Sequence, residues 1–97
     1  MLTEKEIIKI ANDYVTSLED EVGETLIAPE ELMIKKPYGI YFIYHSKIYY
    51  ETKNSIYKLL GSAPFLVENK TGKIIEFGTA HNLEFYIKEY ESGRYPR

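Results

Sequence analysis

Two histidines, His45 and His81, are the residues of this chain best suited to acid–base or metal chemistry. They form no H-x-x-x-H pair, and without cysteine a tetrahedral zinc site would need scattered carboxylates. The fifteen acids make chance carboxylate pairs easy to find, and no Ser-His-Asp order stands out. The sequence therefore predicts no enzyme, cofactor or metal. A small hydrolase using either histidine is the weakest of three functional interpretations.

A glycine-rich stretch, LGSAPFLVENKTGKIIEFGT, is the next place where chemistry is conceivable. A phosphate loop needs G-x-x-x-x-G-K-[ST] between a strand and a helix, but Gly72-Lys73 lacks the upstream glycine and the hydroxyl. Asn69-Lys70-Thr71-Gly72 instead matches a type I turn closed by a left-handed glycine. The stretch predicts a hairpin, and we interpret four glycines as structural: Gly39, Gly61, Gly72 and Gly78.

Ten tyrosines and no tryptophan give the chain an aromatic surface rich in hydroxyls, which suits half-buried positions and interfaces. Five of them fall between Tyr41 and Tyr57. A core or half-buried role is the commoner one for such residues. The alternative is that some anchor a protein partner, and the candidates are Tyr44, Tyr49 and Tyr50.

The charge is unevenly distributed along the chain. The net charge of −3 argues against nucleic acid as a partner, but residues 1–31 have a balance of −7 and residues 32–75 a balance of +5. An acidic end can attract a basic protein, although acidic segments are more often solvated surface. The acids predicted to contact a partner are Glu19, Asp20, Glu21, Glu30 and Glu31.

Two helices bracket the predicted fold. Thr3 and Glu6 form a T-x-x-E capping box, and apolar residues then recur with helical spacing as far as Leu18. Because the acids that follow would oppose the helix macrodipole, we expect the first helix to stop near Leu18. A final helix is expected to begin near His81 or Asn82 and to end before Gly93 and Pro96.

Strands fill the middle of the chain. The predicted strands are Leu26–Ala28, Leu32–Lys36, Gly39–Tyr44, Phe65–Glu68 and Lys73–Phe77. Gly39–Tyr44 is apolar on both faces and should lie centrally in the sheet. The segment from His45 to Leu60 is ambiguous, with a helical turn near Ile56 that Gly61 would end. The prediction is one α+β domain over residues 1–97, with a three- to four-stranded antiparallel sheet flanked by the two helices.

The sequence contains no cysteine, and MLTEKEII has no signal-peptide core. It also contains no apolar run of about 18 residues, the length needed to span a bilayer. We therefore expect a cytoplasmic protein with no membrane contact.

From Tyr38 onward the chain resembles the immunity protein 35 family, also called YrhB-like proteins. The matching blocks are Tyr38–Phe42, Tyr49–Thr52, Leu60–Phe65, Thr71–Ile74, Gly78–Ala80, Leu83–Glu84 and Tyr90–Glu91. The resemblance implies a small α+β bacterial protein, encoded beside polymorphic toxins, that binds and neutralises its cognate toxin without enzymatic activity or a cofactor. The second interpretation is a YrhB-like stress or chaperone-like protein-binding module.

Overall fold

The computed structural model describes residues 1–54 and 63–94 of the chain. In chain order the elements are α1 (Glu4–Val22), β1 (Leu26–Ile27), a 3₁₀ helix (Glu30–Leu32), β2 (Ile34–Lys36), β3 (Gly39–Phe42), β4 (His45–Ser46), α2 (Lys47–Thr52), β5 (Phe65–Glu68), β6 (Ile74–Glu76) and α3 (Leu83–Glu91). Within these described residues, the larger of two antiparallel sheets has the strand order β2-β3-β5-β6, and β1 pairs with β4 in a two-stranded ribbon. This arrangement confirms the predicted α+β fold of a single domain.

The central strand β3 is buried along its whole length, as its apolar sequence predicts. Successive side chains point to opposite faces of a strand, so Ile40 and Phe42 pack toward α1 while Tyr41 packs toward α3. The helices α1 and α3 thus cover opposite faces of the sheet. Two core clusters result, one on each side of the strands.

The first turn of α1 forms the predicted capping box. The Glu6 amide donates to the Thr3 hydroxyl at 3.2 Å, and the Thr3 amide donates to the Glu6 carboxylate at 2.9 Å. The bond from the Thr3 amide favours the ionised carboxylate and is the largest cause of the lowered pKa of Glu6, to which the Thr3 side chain adds a smaller contribution. The buried face that follows contains Ile7, Ala11 and Val15.

The far end of α1 differs from the prediction. The helix does not stop near Leu18 but continues to Val22, where Gly23 adopts a φ of +79° and its amide donates to the Glu19 carbonyl at 2.7 Å. The Glu19 carboxylate accepts a hydrogen bond from the Leu26 amide at 2.8 Å. A glycine cap and this side-chain bond satisfy the helix end, so the acids remain on its last turn despite the macrodipole.

The predicted hairpin joins β5 and β6. Gly72 has a φ of +79°, and its amide donates to the Glu68 carbonyl at 2.9 Å. A Cβ at Gly39 would collide with the Val67 carbonyl, so close strand approach also requires glycine there. At Gly78 a Cβ would lie 3.0 Å from the Tyr86 hydroxyl. The fourth structural glycine, Gly61, lies outside the described residues, as does the helical turn predicted near Ile56.

Other boundaries move by one or two residues. The strand predicted over Leu32–Lys36 begins at Ile34, because Glu30–Leu32 forms a 3₁₀ helix, and the strand predicted to reach Tyr44 ends at Phe42. The ambiguous segment starts with β4 and α2. The final helix has Asn82 as its N-cap, as expected, with its side chain accepting from the Phe85 amide.

Candidate interaction surface

Tyr49 and Tyr50 lie on the short helix α2, next to His45. The His45 ring is 5.6 Å from the Tyr49 ring and 6.2 Å from the Tyr50 ring, centroid to centroid. The Nζ atom of Lys53 lies 3.8 Å from the centroid of the Tyr50 ring, a cation–π geometry. We call His45, Tyr49, Tyr50 and Lys53 the α2 platform. Both tyrosines are half-buried, so each packs on one side and remains partly accessible on the other.

Tyr44, the third candidate anchor, has a more structural position. It is half-buried, packs against the α1-side core, and its ring lies 6.4 Å from the Phe65 ring. Tyr44 therefore joins the core to the surface rather than lying on the α2 platform.

The acids at the end of α1 are concentrated, and among the described residues none of them forms an ion pair. Asp20 and Glu21 are exposed, and the last turn of the helix carries no basic residue. The ion pairs within residues 1–54 and 63–94 involve other acids: Glu4, Asp13, Glu89 and Glu91. Glu19, Asp20 and Glu24 line an open depression with Gly23 and Thr25. We call Glu19, Asp20, Glu21 and Glu24 the acidic end.

The remaining predicted acids are placed differently. Glu30 and Glu31 are exposed on the 3₁₀ helix. Lys35 pairs with Glu4 at 2.7 Å, and this bond is the largest cause of the raised pKa of Lys35, to which Glu30 adds a smaller contribution. Glu4 lies at the opposite end of α1 from Glu19. Glu30 therefore interacts with a lysine that is paired away from the acids at the end of α1.

The β1–β4 ribbon brings the acidic end beside the α2 platform. Leu26 pairs with Ser46, and the Lys47 amide donates to the Thr25 carbonyl at 2.9 Å. The residues that follow α1 therefore hydrogen-bond to the residues that begin α2. Two of the large exposed apolar side chains, Val22 and Ile48, belong to these two helices, with exposed fractions of 37% and 43%. Acids, half-buried tyrosines and exposed aliphatic groups thus lie on elements that the β1–β4 ribbon joins.

A tyrosine–carboxylate network on the α3 side was missed by sequence reasoning. The Tyr38 hydroxyl lies 2.8 Å from the Tyr41 hydroxyl and donates to the Glu91 carboxylate, also at 2.8 Å. Tyr90 donates to Glu68. These bonds tie the last turn of α3 to β3, β5 and the turn before β3. The excess of tyrosine in the sequence was the available signal, but it does not indicate which hydroxyl bonds to which acid.

The chemistry of these tyrosines is that of neutral hydrogen-bond donors. Burial is the largest cause of the raised pKa of Tyr14, Tyr38, Tyr41 and Tyr90, and neighbouring carboxylates raise it further. A tyrosine that acts as a nucleophile or base needs the opposite shift. These four side chains are therefore suited to holding structure.

The two histidines occupy different surroundings. His45 is a residue of β4 and part of the α2 platform. His81 lies just before α3, where its ring stacks on the Phe85 ring with 3.8 Å between the centroids. Across the described part of the chain, no group of three or more His, Cys, Asp or Glu residues is arranged to hold a metal ion. The same residues include no helix both long enough and apolar enough to cross a bilayer.

One curated protein gives a partial match. The chain is 38% identical over 53 residues to the uncharacterized protein YrhB of Escherichia coli strain K12, and the match covers 55% of this chain and 56% of YrhB. The chain thus spans about half the length of the curated relative that it matches. No family model and no solved structure matches the chain. The similarity supports a YrhB-like relationship over the matched part.

Proposed function

We propose that this chain is an immunity protein that binds a cognate bacterial toxin in a stoichiometric complex and blocks its working surface. The observation that carries the proposal is the acidic end. Glu19 accepts a bond from the Leu26 amide, but Asp20 and Glu21 lie on a last turn that carries no basic residue. Each of these two opposes the macrodipole at a cost of about 0.3–1 kcal/mol of stability. A group that is unfavourable for the fold is best explained by an interaction outside it, here with a basic protein surface.

The neighbouring α2 platform supplies the second kind of group that an interface needs. Specific interfaces bury about 1,200–2,000 Å² in total and combine aromatic anchors with a polar rim. Tyr49 and Tyr50 are suited to the role of anchors, and the acidic end is suited to the rim. The resemblance to toxin-associated immunity proteins supplies the class of partner, and the proposed mechanism needs no enzymatic activity, metal or cofactor.

The test uses the C-terminal domain of the large secreted protein that this proposal expects to be encoded beside the gene. Co-expression of the chain should restore growth to cells that make this domain, and the two purified proteins should elute as a one-to-one complex. Asp20→Lys with Glu21→Lys should slow association by about tenfold or more, because steering by charge acts on the on-rate. An absent complex, or a complex with no growth rescue, would contradict the proposal.

The chaperone-like interpretation makes a different prediction. A protein that holds several unfolded clients needs a contiguous exposed apolar patch. The large exposed apolar side chains of the described residues are Met1, Val22, Ile48 and Phe85. Val22 and Ile48 lie on helices joined by the β1–β4 ribbon, but Met1 and Phe85 belong to other parts of the fold. This distribution favours one specific partner, so the chain should not suppress aggregation of heat-denatured unrelated enzymes.

A further inference from the structure

We propose that Lys53 positions Tyr50 as a preorganised anchor for the toxin. Lys53 does so by placing its ammonium group over the Tyr50 ring, and it adopts a backbone conformation that is unfavourable for lysine. The inference rests on the proposed function, because it assigns a contact residue of that interface and the group that orders it. Its occupant is a protein surface that offers an apolar cleft beside basic side chains.

The first observation is the backbone of Lys53. Its φ is +58°, and it is the one residue other than glycine with a positive φ among residues 1–54 and 63–94. A side chain in the left-handed region is sterically disfavoured relative to glycine, because its Cβ crowds the following carbonyl oxygen. Lys53 is the C-cap of α2, and its amide donates to the Tyr49 carbonyl at 2.7 Å. Glycine would perform this capping role without the steric cost, so the cap alone does not explain a lysine.

The second observation is what the lysine side chain does there. Its Nζ lies 3.8 Å from the centroid of the Tyr50 ring, and the His45 ring lies nearly parallel to Tyr50, with 16° between the planes. Tyr50 is only half-buried, yet its ring is held by two neighbours. Ordering a surface side chain before binding removes part of the entropic cost of association.

The position of Tyr50 suggests which partner benefits from this ordering. The Lys47 amide bonds to the Thr25 carbonyl, so α2 begins beside the acidic end. A toxin surface that is drawn in by Asp20 and Glu21 therefore arrives next to a tyrosine whose orientation is already set. Tyrosine is a common interface hot spot because it buries a large area with few rotatable bonds.

The experiment compares four lysine variants and Tyr50→Ala for binding to the adjacent toxin domain, by surface plasmon resonance, and for thermal unfolding. Lys53→Gly should raise the melting temperature by a few degrees, because the strain is removed, and should weaken binding about fivefold, mainly through faster dissociation. Lys53→Gln keeps the strain but removes the cation, so it should weaken binding similarly without the gain in melting temperature. Lys53→Arg should bind like the wild type. Lys47→Ala is the matched control, because it removes the same charge from the start of α2.

The outcomes separate this inference from the proposed function. If the wild type binds and Lys53→Gly or Lys53→Gln binds equally well, Lys53 is only a cap and the inference is wrong. Removing a positive charge should not by itself weaken binding to a basic surface, so if Lys47→Ala weakens binding as much as Lys53→Gln, the loss is not specific to the cation over Tyr50, which also overturns the inference. Tyr50→Ala should weaken binding by about thirtyfold, and an unchanged affinity would remove Tyr50 as the anchor. A wild-type chain that binds no toxin domain would refute the proposed function itself, and the inference with it.

Discussion

The β5–β6 hairpin requires a residue without a side chain at position 72. Its φ is +79°, and an added Cβ would lie 2.9 Å from Ile10 Cδ1 and 3.1 Å from Leu2 Cδ1. Gly72→Val should lower the free energy of unfolding by about 1–3 kcal/mol in urea titrations, because a β-branched side chain is strained at this φ and crowded by α1. Gly23→Val is a matched control with the same φ and open space around its Cβ, so it should cost less. Equal losses would mean that packing against α1 contributes nothing.

The buried tyrosine hydroxyls give stability a dependence on alkaline pH. Burial, followed by hydrogen bonds with Tyr41 and Glu91, raises the pKa of Tyr38 in the folded chain above its ordinary value of 10.0. The unfolded chain loses this proton first, so stability is fully present below about pH 10 and falls as pH rises further. Unfolding measured in urea between pH 8 and 11 should show this fall. Tyr38→Phe should reduce its slope, and an unchanged slope would contradict the assignment.

Residue types alone indicated some roles and missed others. The left-handed glycine at position 72 followed from Asn-Lys-Thr-Gly, because a local turn is encoded in adjacent residues. The pairs Tyr38–Glu91 and Tyr90–Glu68 could not be predicted, since each depends on how α3 crosses the sheet. The conformation of Lys53 was also inaccessible, because nothing in its residue type indicates a positive φ.

At the scale of elements, α1 shows how a local rule can be overridden. The macrodipole argument predicted an end near Leu18, but the Gly23 cap and the bond between Glu19 and the Leu26 amide extend the helix to Val22. The helix start was predicted correctly because the capping box lies within four residues. The helix end depends on a bond to β1, which sequence periodicity does not contain.

The acids on this last turn should lower the free energy of unfolding, and the effect can be measured. Asp20→Lys should increase the free energy of unfolding by about 1 kcal/mol at low salt, because a cation replaces an anion at the negative end of α1. The matched control is Asp13→Lys, which makes the same charge change in the middle of the helix and removes the exposed pair with Lys9. Asp13→Lys should be neutral or slightly destabilising. Urea titrations at low and high salt check both, and a destabilised Asp20→Lys variant would show that the acids serve the fold.

The molecule as a whole separates its framework from its proposed recognition surface. Two helices cover the two faces of a four-stranded sheet. The helical spacing of apolar residues and a strand that is apolar on both faces were sufficient to predict this framework. The proximity of the acidic end to the α2 platform depends on the β1–β4 ribbon, in which each strand has two residues. Strands this short carry no detectable period, so the sequence indicated both groups of residues but not that they lie together.

This separation predicts how the complex should respond to salt. If the acidic end steers a basic toxin surface, raising the salt concentration from about 0.05 to 0.5 M shortens the Debye length from about 14 to 4 Å and should slow association by tenfold or more. Dissociation should change much less, because contacts made by the α2 platform are short-ranged. Stopped-flow measurements with the adjacent toxin domain check both rates. The control is the Asp20→Lys, Glu21→Lys variant, whose on-rate should already be low and nearly independent of salt. A wild-type on-rate that is equally independent of salt would remove steering from the mechanism and leave recognition to the tyrosines.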